Sequence, residues 1–372
     1  MNIEVVANKD AEKAFIETIP EKIYRGDPHW MKPLSADLRS IFDAQQNPFF
    51  ANGTLKRWIA RDHEGRVGRI AAFYHHEKAY RSGCPTGGIG FFECSQNKEL
   101  AFTLFRESLA WLKQQGMKAV EGPVNPGEND SNWGLLVNTH PAYSMNYNLP
   151  YYKAFFEAYG FTPAYDQYTN HYDLTHPLPQ RFTRIAQRLE QQGRYTFRPF
   201  QQHKLDAFIR DMVTVYNKAW VHHENFTPIE YNYVRGTFLK MKSIIDSELI
   251  WFAYAEGKPV AFIVGVPDVN QIIRKLDGKL NFINKLRFLY YKHTGVIDRF
   301  RVLIMGVVPE YQNRGIESGL VTRVLASARR LKKYREAELS WVGSFNPKMM
   351  ALYKASGAVF GKQHVTYRYE IK

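Results

Sequence analysis

The residues most suited to chemistry lie near the end of the chain, where an apolar stretch, Val302–Val308, leads through a turn into a long helical pattern. The turn ends at Gly315, with Arg314 before it and Ser318 just inside the predicted helix. The first N–H groups of a helix have no partner within it, and together with the helix dipole they attract an anion. Because Gly315 carries no Cβ, a phosphate can approach its backbone closely. Arg314 adds positive charge and Ser318 a hydroxyl donor, so this pattern predicts a phosphate-binding loop.

A second block follows that predicted helix. Ser340–Pro347 forms a predicted strand and turn that contain Asn346, and a short helical pattern ending in glycine comes next. In this order, the two blocks resemble the acyl-CoA site of the GNAT (GCN5-related N-acetyltransferase) superfamily. The loop of that superfamily has the pattern Gln/Arg-x-x-Gly-x-Gly/Ala, and this chain has Gln312-x-x-Gly315-x-Glu317. Glu317 therefore replaces a small residue, and its carboxylate would repel a pyrophosphate unless it points away.

The resemblance implies a co-substrate and a set of site residues. Acetyl-CoA or a longer acyl-CoA would be the acyl donor, and no metal is implied. Tyr353 would protonate the departing thiolate, and the alternative is a half-buried aromatic residue on a short helix. The end of the apolar strand would offer a backbone N–H to the thioester oxygen. The cofactor-binding residues that the resemblance implies are Val307, Val308, Gln312, Asn313, Arg314, Gly315, Ile316, Ser318 and Asn346.

The sequence does not fix the general base that would deprotonate the acceptor. The nearest candidates are His222, His223 and Glu224, which follow a helical pattern at the place where GNAT proteins have an acceptor-side loop. Adjacent side chains on a helix or strand point in different directions, so at most one of the two histidines would serve. A surface histidine without a catalytic role is the alternative.

The same order of elements occurs twice along the chain. Each half has a strand, a helical region, a hairpin with an early tryptophan, a strand, a long helix, a strand, a short helix and a final strand; the hairpins are Arg57–Phe73 and Ile250–Val264. The expected fold class is α/β, with two tandem GNAT-like mixed-sheet units and the acyl-CoA site in the second. The predicted divisions are a degenerate first unit at 1–175, a linker and short helix at 176–194, and an acyltransferase unit at 195–372 with an inserted basic amphipathic segment at 267–301.

The first unit lacks the features of the phosphate-binding loop. Its corresponding stretch, Cys94–Leu100, contains no glycine, and Phe156 stands where the second unit has Tyr353. We therefore expect the first unit to be a scaffold without cofactor chemistry.

The Asn-, Gly- and Pro-rich residues 122–134 predict either a binding loop or a turn held by Asx hydrogen bonds.

Charge is distributed unevenly between the two halves. The 372 residues include 50 Lys or Arg and 36 Asp or Glu, which gives a net charge of +14. The first 175 residues carry 18 basic and 20 acidic side chains, and the remainder carry 32 and 16. The basic excess thus belongs to the unit with the loop, which indicates an anionic partner. Since no zinc-finger spacing, RNP signature or basic zipper is present, a polyphosphate cofactor is favoured over a nucleic acid.

Cysteine content and hydropathy predict the compartment. The two cysteines, Cys84 and Cys94, exclude a disulfide framework and a cysteine-based zinc site, and we expect two free thiols. The sequence shows no signal-peptide pattern and no apolar stretch long enough to span a bilayer. A cytoplasmic location is predicted, with contact at the inner membrane surface as an extension of it.

That extension comes from residues 270–301, which hold eight basic and two acidic side chains. Apolar residues recur there at close to helical spacing. A basic amphipathic helix is typical of peripheral contact with an anionic membrane or of a cap over an acyl tunnel. The alternative is a helix packed on the core with its basic face in solvent.

These patterns together predict an acyl-CoA-dependent N-acyltransferase whose acceptor is a small-molecule or lipid amine. The layout is similar to that of long two-unit bacterial GNAT proteins, some of which acylate amino-lipids. Glu317 and the degenerate first unit support an alternative, a non-catalytic pseudoenzyme that binds CoA or another ligand.

Overall fold

A computed structural model describes residues 2–81, 83–127, 130–138, 145–221, 226–276, 278 and 281–372. Within these residues the chain forms one mixed β-sheet with helices on both faces. The strands are β1 (Asn2–Val5), β2 (Gly53–Asp62), β3 (Gly65–His75), β4 (Thr86–Cys94), β5 (Ala119–Gly122), β6 (Leu135–Leu136), β7 (Thr162–Asp173), β8 (Tyr195–Pro199), β9 (Ile250–Ala255), β10 (Lys258–Pro267), β11 (Arg299–Val307), β12 (Glu336–Gly343) and β13 (Val359–Glu370).

Helices connect these strands in the order that the sequence predicts. A π-helical turn, Ala14–Thr18, joins the first two helices of the chain. The helices are α1 (Lys9–Lys13), α2 (Ile19–Ile23), α3 (Ser35–Ile41), α4 (Lys98–Gln114), α5 (Tyr151–Tyr159), α6 (Gln180–Gln192), α7 (Leu205–Ala219), α8 (Tyr231–Met241), α9 (Asn270–Ile273), α10 (Phe282–His293), α11 (Ile316–Arg330) and α12 (Pro347–Ala355).

The strand order confirms the α/β fold of two related units. The sheet runs β1-β2-β3-β4-β5-β13-β7-β12-β11-β10-β9-β8, and β6 pairs with β13. Strand β4 is parallel to β5, and β11 is parallel to β12. The long helices α4 and α11 make these two crossovers, which is the connection that parallel neighbours require. Both predicted hairpins, β2–β3 and β9–β10, are antiparallel pairs.

The two units exchange their last strands. Strand β13, which ends the second unit, lies between β5 and β7 of the first, with Tyr367 opposite Gly122 and Val365 opposite Asp166. Strand β7, which ends the first unit, in turn pairs with β12, with Asp173 opposite Glu336. Each unit therefore completes its sheet with a strand of the other. The repeat alone does not predict this exchange, because units with exchanged final strands and units without exchange have the same order of elements along the chain.

Helix α6, which links the units, becomes part of the second one. Its Phe182 and Leu189 are buried in the same apolar cluster as Ile316 and Leu320 of α11. Arg323 of α11 donates a hydrogen bond to Glu190 at 2.7 Å. The linker helix therefore packs along the helix that begins at the predicted phosphate-binding loop.

The inserted segment differs from the predicted amphipathic helix. It contains two helices, α9 and α10, instead of one. Ile272 and Leu276 are buried in the core of the second unit, whereas Leu286 and Leu289 on α10 are 53% and 48% exposed. The apolar residues at helical spacing thus belong to two elements with different surroundings, and Leu280 lies outside the described residues. The prediction of a single amphipathic helix was wrong.

Other sequence expectations concern thiols, metals and membrane spans. Neither Cys84 nor Cys94 forms a disulfide bond. In the described ranges, no group of three or more His, Cys, Asp or Glu side chains could hold a metal ion. Among the helices whose residues are described, none has the length and apolar composition to cross a membrane.

Candidate active site

The candidate site begins where β11 and β12 separate. These parallel strands pair from Arg299 opposite Glu336 to Val302 opposite Leu339, and no further pairing between them follows. Beyond that point β11 pairs only with β10, and β12 pairs with β7. The second half of each strand therefore leaves an opening in the sheet directly before the turn into α11.

Backbone groups of β11 line one side of this opening. Val308 N–H donates to the carbonyl of Val260 at 2.9 Å, so it is already used within the sheet. Hydrogen-bonding directions alternate along a strand, so the N–H of Val307 points to the opposite edge, toward the opening. Of the two predicted residues, Val307 is the one that can offer an oxyanion donor. Gln312 Nε2 donates to the carbonyl of Val307 at 3.2 Å and thereby ties the turn back to the strand.

The predicted phosphate-binding loop has the backbone of a helix start. Asn313 and Gly315 both have left-handed backbones, with φ of +60° and +86°, and Gly315 is the N-cap of α11. A Cβ placed on Gly315 would lie 2.6 Å from Cγ2 of Ile185 on α6. The glycine is therefore needed both for its φ and for contact with α6. The sequence predicts that a phosphate approaches the backbone of Gly315 closely. On this side of the loop, the side chain of Ile185 occupies that position.

The other predicted loop residues differ in exposure. Arg314 is exposed, with its guanidinium 5.4 Å from the centre of the Tyr311 ring. Ile316 and Ser318 are buried in the first turn of α11. The loop thus presents the exposed guanidinium of Arg314 and several backbone N–H groups, whereas the side chain of Ser318 is buried.

Glu317 folds toward the loop instead of away from it. Burial raises the pKa of its carboxyl, and the backbone N–H groups of Glu317 and Asn313 lower it in part. These N–H groups are among the donors that an anion at the start of α11 would use. The acidic residue that departs from the superfamily pattern therefore takes up backbone donors at the place where the sequence predicts an anion.

Tyr353 and Asn346 occupy defined positions on the other side of the opening. Tyr353 Oη donates to the carbonyl of Ser340 at 3.0 Å, and Ser340 is the first residue of β12 beyond its pairing with β11. Burial raises the pKa of the Tyr353 hydroxyl, although Arg301 opposes this shift. Asn346 is the N-cap of α12, and its side chain accepts from the N–H of Met349 at 3.1 Å.

The structure brings most of the predicted residues together around one opening. Val307 on β11 and Ser340 on β12 both lie beyond the point where these strands separate; Gln312 donates to the carbonyl of Val307, and Tyr353 donates to that of Ser340. The candidate bases His222, His223 and Glu224 lie outside the described residues. Sequence reasoning missed Ile185, because residues 176–194 fall in the predicted linker between the two units. Only the apolar periodicity of this segment could have indicated that α6 packs on α11.

A group of buried charges behind the opening was also missed. Glu338 on β12 contacts Lys362 on β13 and lies 3.5 Å from the guanidinium of Arg301 on β11. All three side chains are at most 4% exposed. These residues come from distant parts of the sequence, and the exchanged strand β13 supplies one of them.

Comparisons with known proteins agree with this fold. The model of the acetyltransferase (GNAT) family matches residues 209–358, which include the loop and Tyr353. The chain is 27% identical to Protein YghO of Escherichia coli over 99% of this chain and 95% of that protein. It is 26% identical to the bacterial ceramide synthase of Caulobacter vibrioides over 96% of this chain and 93% of that protein.

Solved structures support the same architecture for the whole chain. A tandem GNAT protein from the clavulanic acid biosynthesis pathway superposes with a TM-score of 0.56 at 12% identity, covering 100% of this chain and 99% of that one. This likeness concerns the fold. Residues 209–358 thus match the acetyltransferase (GNAT) family, and the whole chain has the fold of a tandem GNAT protein.

Proposed function

We propose that this protein is an acyl-CoA-dependent N-acyltransferase whose site is the opening between β11 and β12. The observation that carries the proposal is the position of Tyr353, whose hydroxyl meets β12 at Ser340, where the two strands part. The division into a second unit with this site and a first unit without the loop is part of the proposal.

In this proposal, the acyl donor supplies an activated thioester. The N–H of Val307 stabilises the negative charge that develops on the thioester oxygen as the acceptor nitrogen attacks. The new C–N bond forms, the C–S bond breaks, and Tyr353 Oη gives its proton to the sulfur. The acceptor nitrogen loses a proton to a base or to water. Because burial raises the pKa of Tyr353, its hydroxyl keeps the proton that this step needs at neutral pH.

The N–H groups at the start of α11 and the side chain of Arg314 would hold the pyrophosphate. Backbone N–H groups at a helix N-terminus donate hydrogen bonds to an anion, and the helix dipole favours negative charge there. Glu317 and α6 act against this binding in the described conformation, since one takes up loop N–H groups and the other contacts Gly315. Binding of the donor would therefore include a change in the position of Glu317.

The acceptor in this proposal is an amine, with an amino-lipid as the preferred class. The name of the Caulobacter relative supports this class, since a ceramide synthase acylates an amino-lipid. The exposed helix α10 supports it independently. Phe282, Ile283 and Tyr290 on α10 are each at least 65% exposed, and basic residues lie on the same helix. Such a helix is suited to the surface of an anionic membrane, where a lipid acceptor would be found.

A direct test incubates the protein with acetyl-CoA or long-chain acyl-CoAs and a set of amines, and follows release of free thiol. Binding of CoA is measured separately by calorimetry. We expect thiol release that depends on an amine. Arg314→Gln should weaken CoA binding, whereas Lys332→Gln, at the other end of α11, should not. Thiol release that is absent while CoA binding is retained would contradict the enzyme and support the pseudoenzyme.

A further inference from the structure

A cavity of about 400 Å³ lies in the first unit, which the sequence predicts to be a scaffold only. This volume is within the range of roughly 300–1,000 Å³ of small-molecule sites. Ile16, Leu34, Leu38 and Ile41 form an apolar wall, and Asn125, Asn132 and Asn146 form an amide-rich wall. Of the described residues that line it, none belongs to β11, β12 or the loop before α11.

The polar floor of the cavity contains a buried ion pair. Arg69 Nη2 lies 3.3 Å from Glu93 Oε1, and Tyr152 Oη donates to Glu93 Oε2 at 3.0 Å. Arg69 is 5% exposed, and its Nη1 donates to the carbonyl of Phe15. Its Nε, also buried, has no hydrogen-bond partner among the described residues. A buried donor of a charged group is costly to leave unsatisfied, so this nitrogen marks a place for an acceptor atom.

The backbone of β4 is distorted at the same place. Phe91 has a left-handed backbone with φ of +53°, and the pairing of β3 with β4 shifts register between Arg69 and Ala71. Phe91, Phe92 and Glu93 all line the cavity; the ring of Phe91 packs against Phe42, whereas the ring of Phe92 packs against Phe105 on the opposite face of the sheet. Such strain costs about 1–3 kcal/mol and is found mostly at functional sites. The bulge is therefore better explained by a ligand site than by an inert scaffold.

Three of the carboxylates that line the cavity are paired with basic side chains. Glu21 pairs with Lys32 at 2.5 Å, Glu17 pairs with Arg39, and Glu93 pairs with Arg69. The remaining described carboxyl of the lining is that of Asp37, an exposed residue of α3. At the floor, where Arg69 and Glu93 pair with each other, a ligand with a charged head would find no free counter-charge among the described residues and would lose its hydration. The cavity is thus suited to an uncharged head.

We infer that this cavity binds an amphiphile with a single alkyl chain and an uncharged head, whose carbonyl or hydroxyl oxygen accepts a hydrogen bond from Nε of Arg69. The alkyl chain lies along the wall that Leu34, Leu38 and Ile41 form. Asn270 and Ile273 of α9 also line the cavity, so the ligand contacts both units. This site does not depend on acyl transfer by the second unit.

Calorimetry of the full chain with 1-decanol tests this site directly, with decanoate and decylamine as charged probes of the same length. We expect 1-decanol to bind at least about tenfold more tightly than either charged probe, because a buried charge without a partner is unfavourable. Leu38→Trp fills the cavity from α3, a helix without buried residues, and should weaken binding at least tenfold. Ala36→Trp, on the exposed face of the same helix, is the matched control and should bind like the wild type.

Arg69→Lys tests the head contact separately. It keeps a positive charge beside Glu93 but removes the Nε donor, and it should weaken 1-decanol binding by at least about fivefold. Circular dichroism checks its folding, and the two α3 variants decide the matter if it does not fold. Three results would overturn the inference: no binding of 1-decanol, equal binding by Leu38→Trp and Ala36→Trp, or a charged probe that binds as tightly as 1-decanol. Each of these is independent of thiol release.

Discussion

The side chain of Ile185 fills the space that a Cβ of Gly315 would need, at 2.6 Å from that position. The glycine that introduces α11 is therefore also the contact point of the linker helix α6. Its left-handed backbone, with φ of +86°, adds a second requirement for glycine. Local conformation and tertiary packing thus select the same residue.

Gly315→Ala should destabilise the protein by roughly 2–4 kcal/mol, from backbone strain and from collision with Ile185. Gly193→Ala is the matched control, because Gly193 also has a positive φ but open space around its Cβ position. It should cost only about 1 kcal/mol. Urea denaturation measures both. Adding Ile185→Ala to Gly315→Ala should recover part of the loss, and equal losses in the two glycine variants would show that packing against α6 is unimportant.

Tyr353→Phe should lower kcat for acyl transfer by about 100-fold while CoA binding stays the same, because the variant lacks the proton donor. Tyr254→Phe is the control, since Tyr254 also donates a buried hydrogen bond, to Asp211 at 2.7 Å. Each variant should lose about 1 kcal/mol of stability. The release of free thiol, measured over time at saturating substrate, gives kcat for each variant. Unchanged turnover in Tyr353→Phe would remove Tyr353 from the proton transfer.

Glu317→Gln should strengthen CoA binding by roughly five- to tenfold, because it removes a negative charge that competes for the loop N–H groups. Glu310→Gln changes the charge of an exposed residue just before the loop and should have a smaller effect. Calorimetric titration with CoA compares the two variants. Weaker binding by Glu317→Gln would mean that the carboxylate supports the loop instead of competing with its ligand.

His364 should make the protein less stable at acid pH. Burial, with Arg301 and Lys362 nearby, lowers the pKa of His364 to about 3, from an unfolded value of about 6.5. Between these values the unfolded state binds the extra proton, so stability is complete above pH 6.5 and falls by up to about 1.4 kcal/mol per pH unit as pH decreases toward 3. Urea denaturation from pH 4 to 7 should show a shallower dependence for His364→Gln. The exposed His203→Gln should keep the wild-type slope.

The protein should float with anionic vesicles at low salt and detach as salt rises, because α10 combines exposed apolar residues with basic ones. Replacing Leu286 and Leu289 by serine should reduce flotation severalfold. The control replaces Tyr233 and Leu239, two exposed apolar residues of α8, by serine and should leave flotation unchanged. Equal flotation of the two double variants would exclude α10 as the contact.

Local sequence patterns predicted the elements of the fold because the signals they use are local. The turn before α11, its glycine and the paired hairpins follow from residues close together in sequence. The contact of Ile185 with Gly315 and the burial of Lys362 beside Glu338 are tertiary, and no spacing indicates them. The cavity of the first unit was missed for the same reason, since Arg69 and Glu93 lie on neighbouring strands and α9 arrives from the other unit.

The exchange of β7 and β13 has a consequence for how this gene can change. A fragment that stops after residue 175 would keep β5 and β7 but lose β13, the strand between them. A fragment that starts at 195 would lose β7, which lies between β12 and β13. Such fragments would expose unpaired strand edges, which promote aggregation. A truncation of the gene that removes either half would therefore leave an aggregation-prone product, because neither half can close its sheet without the other.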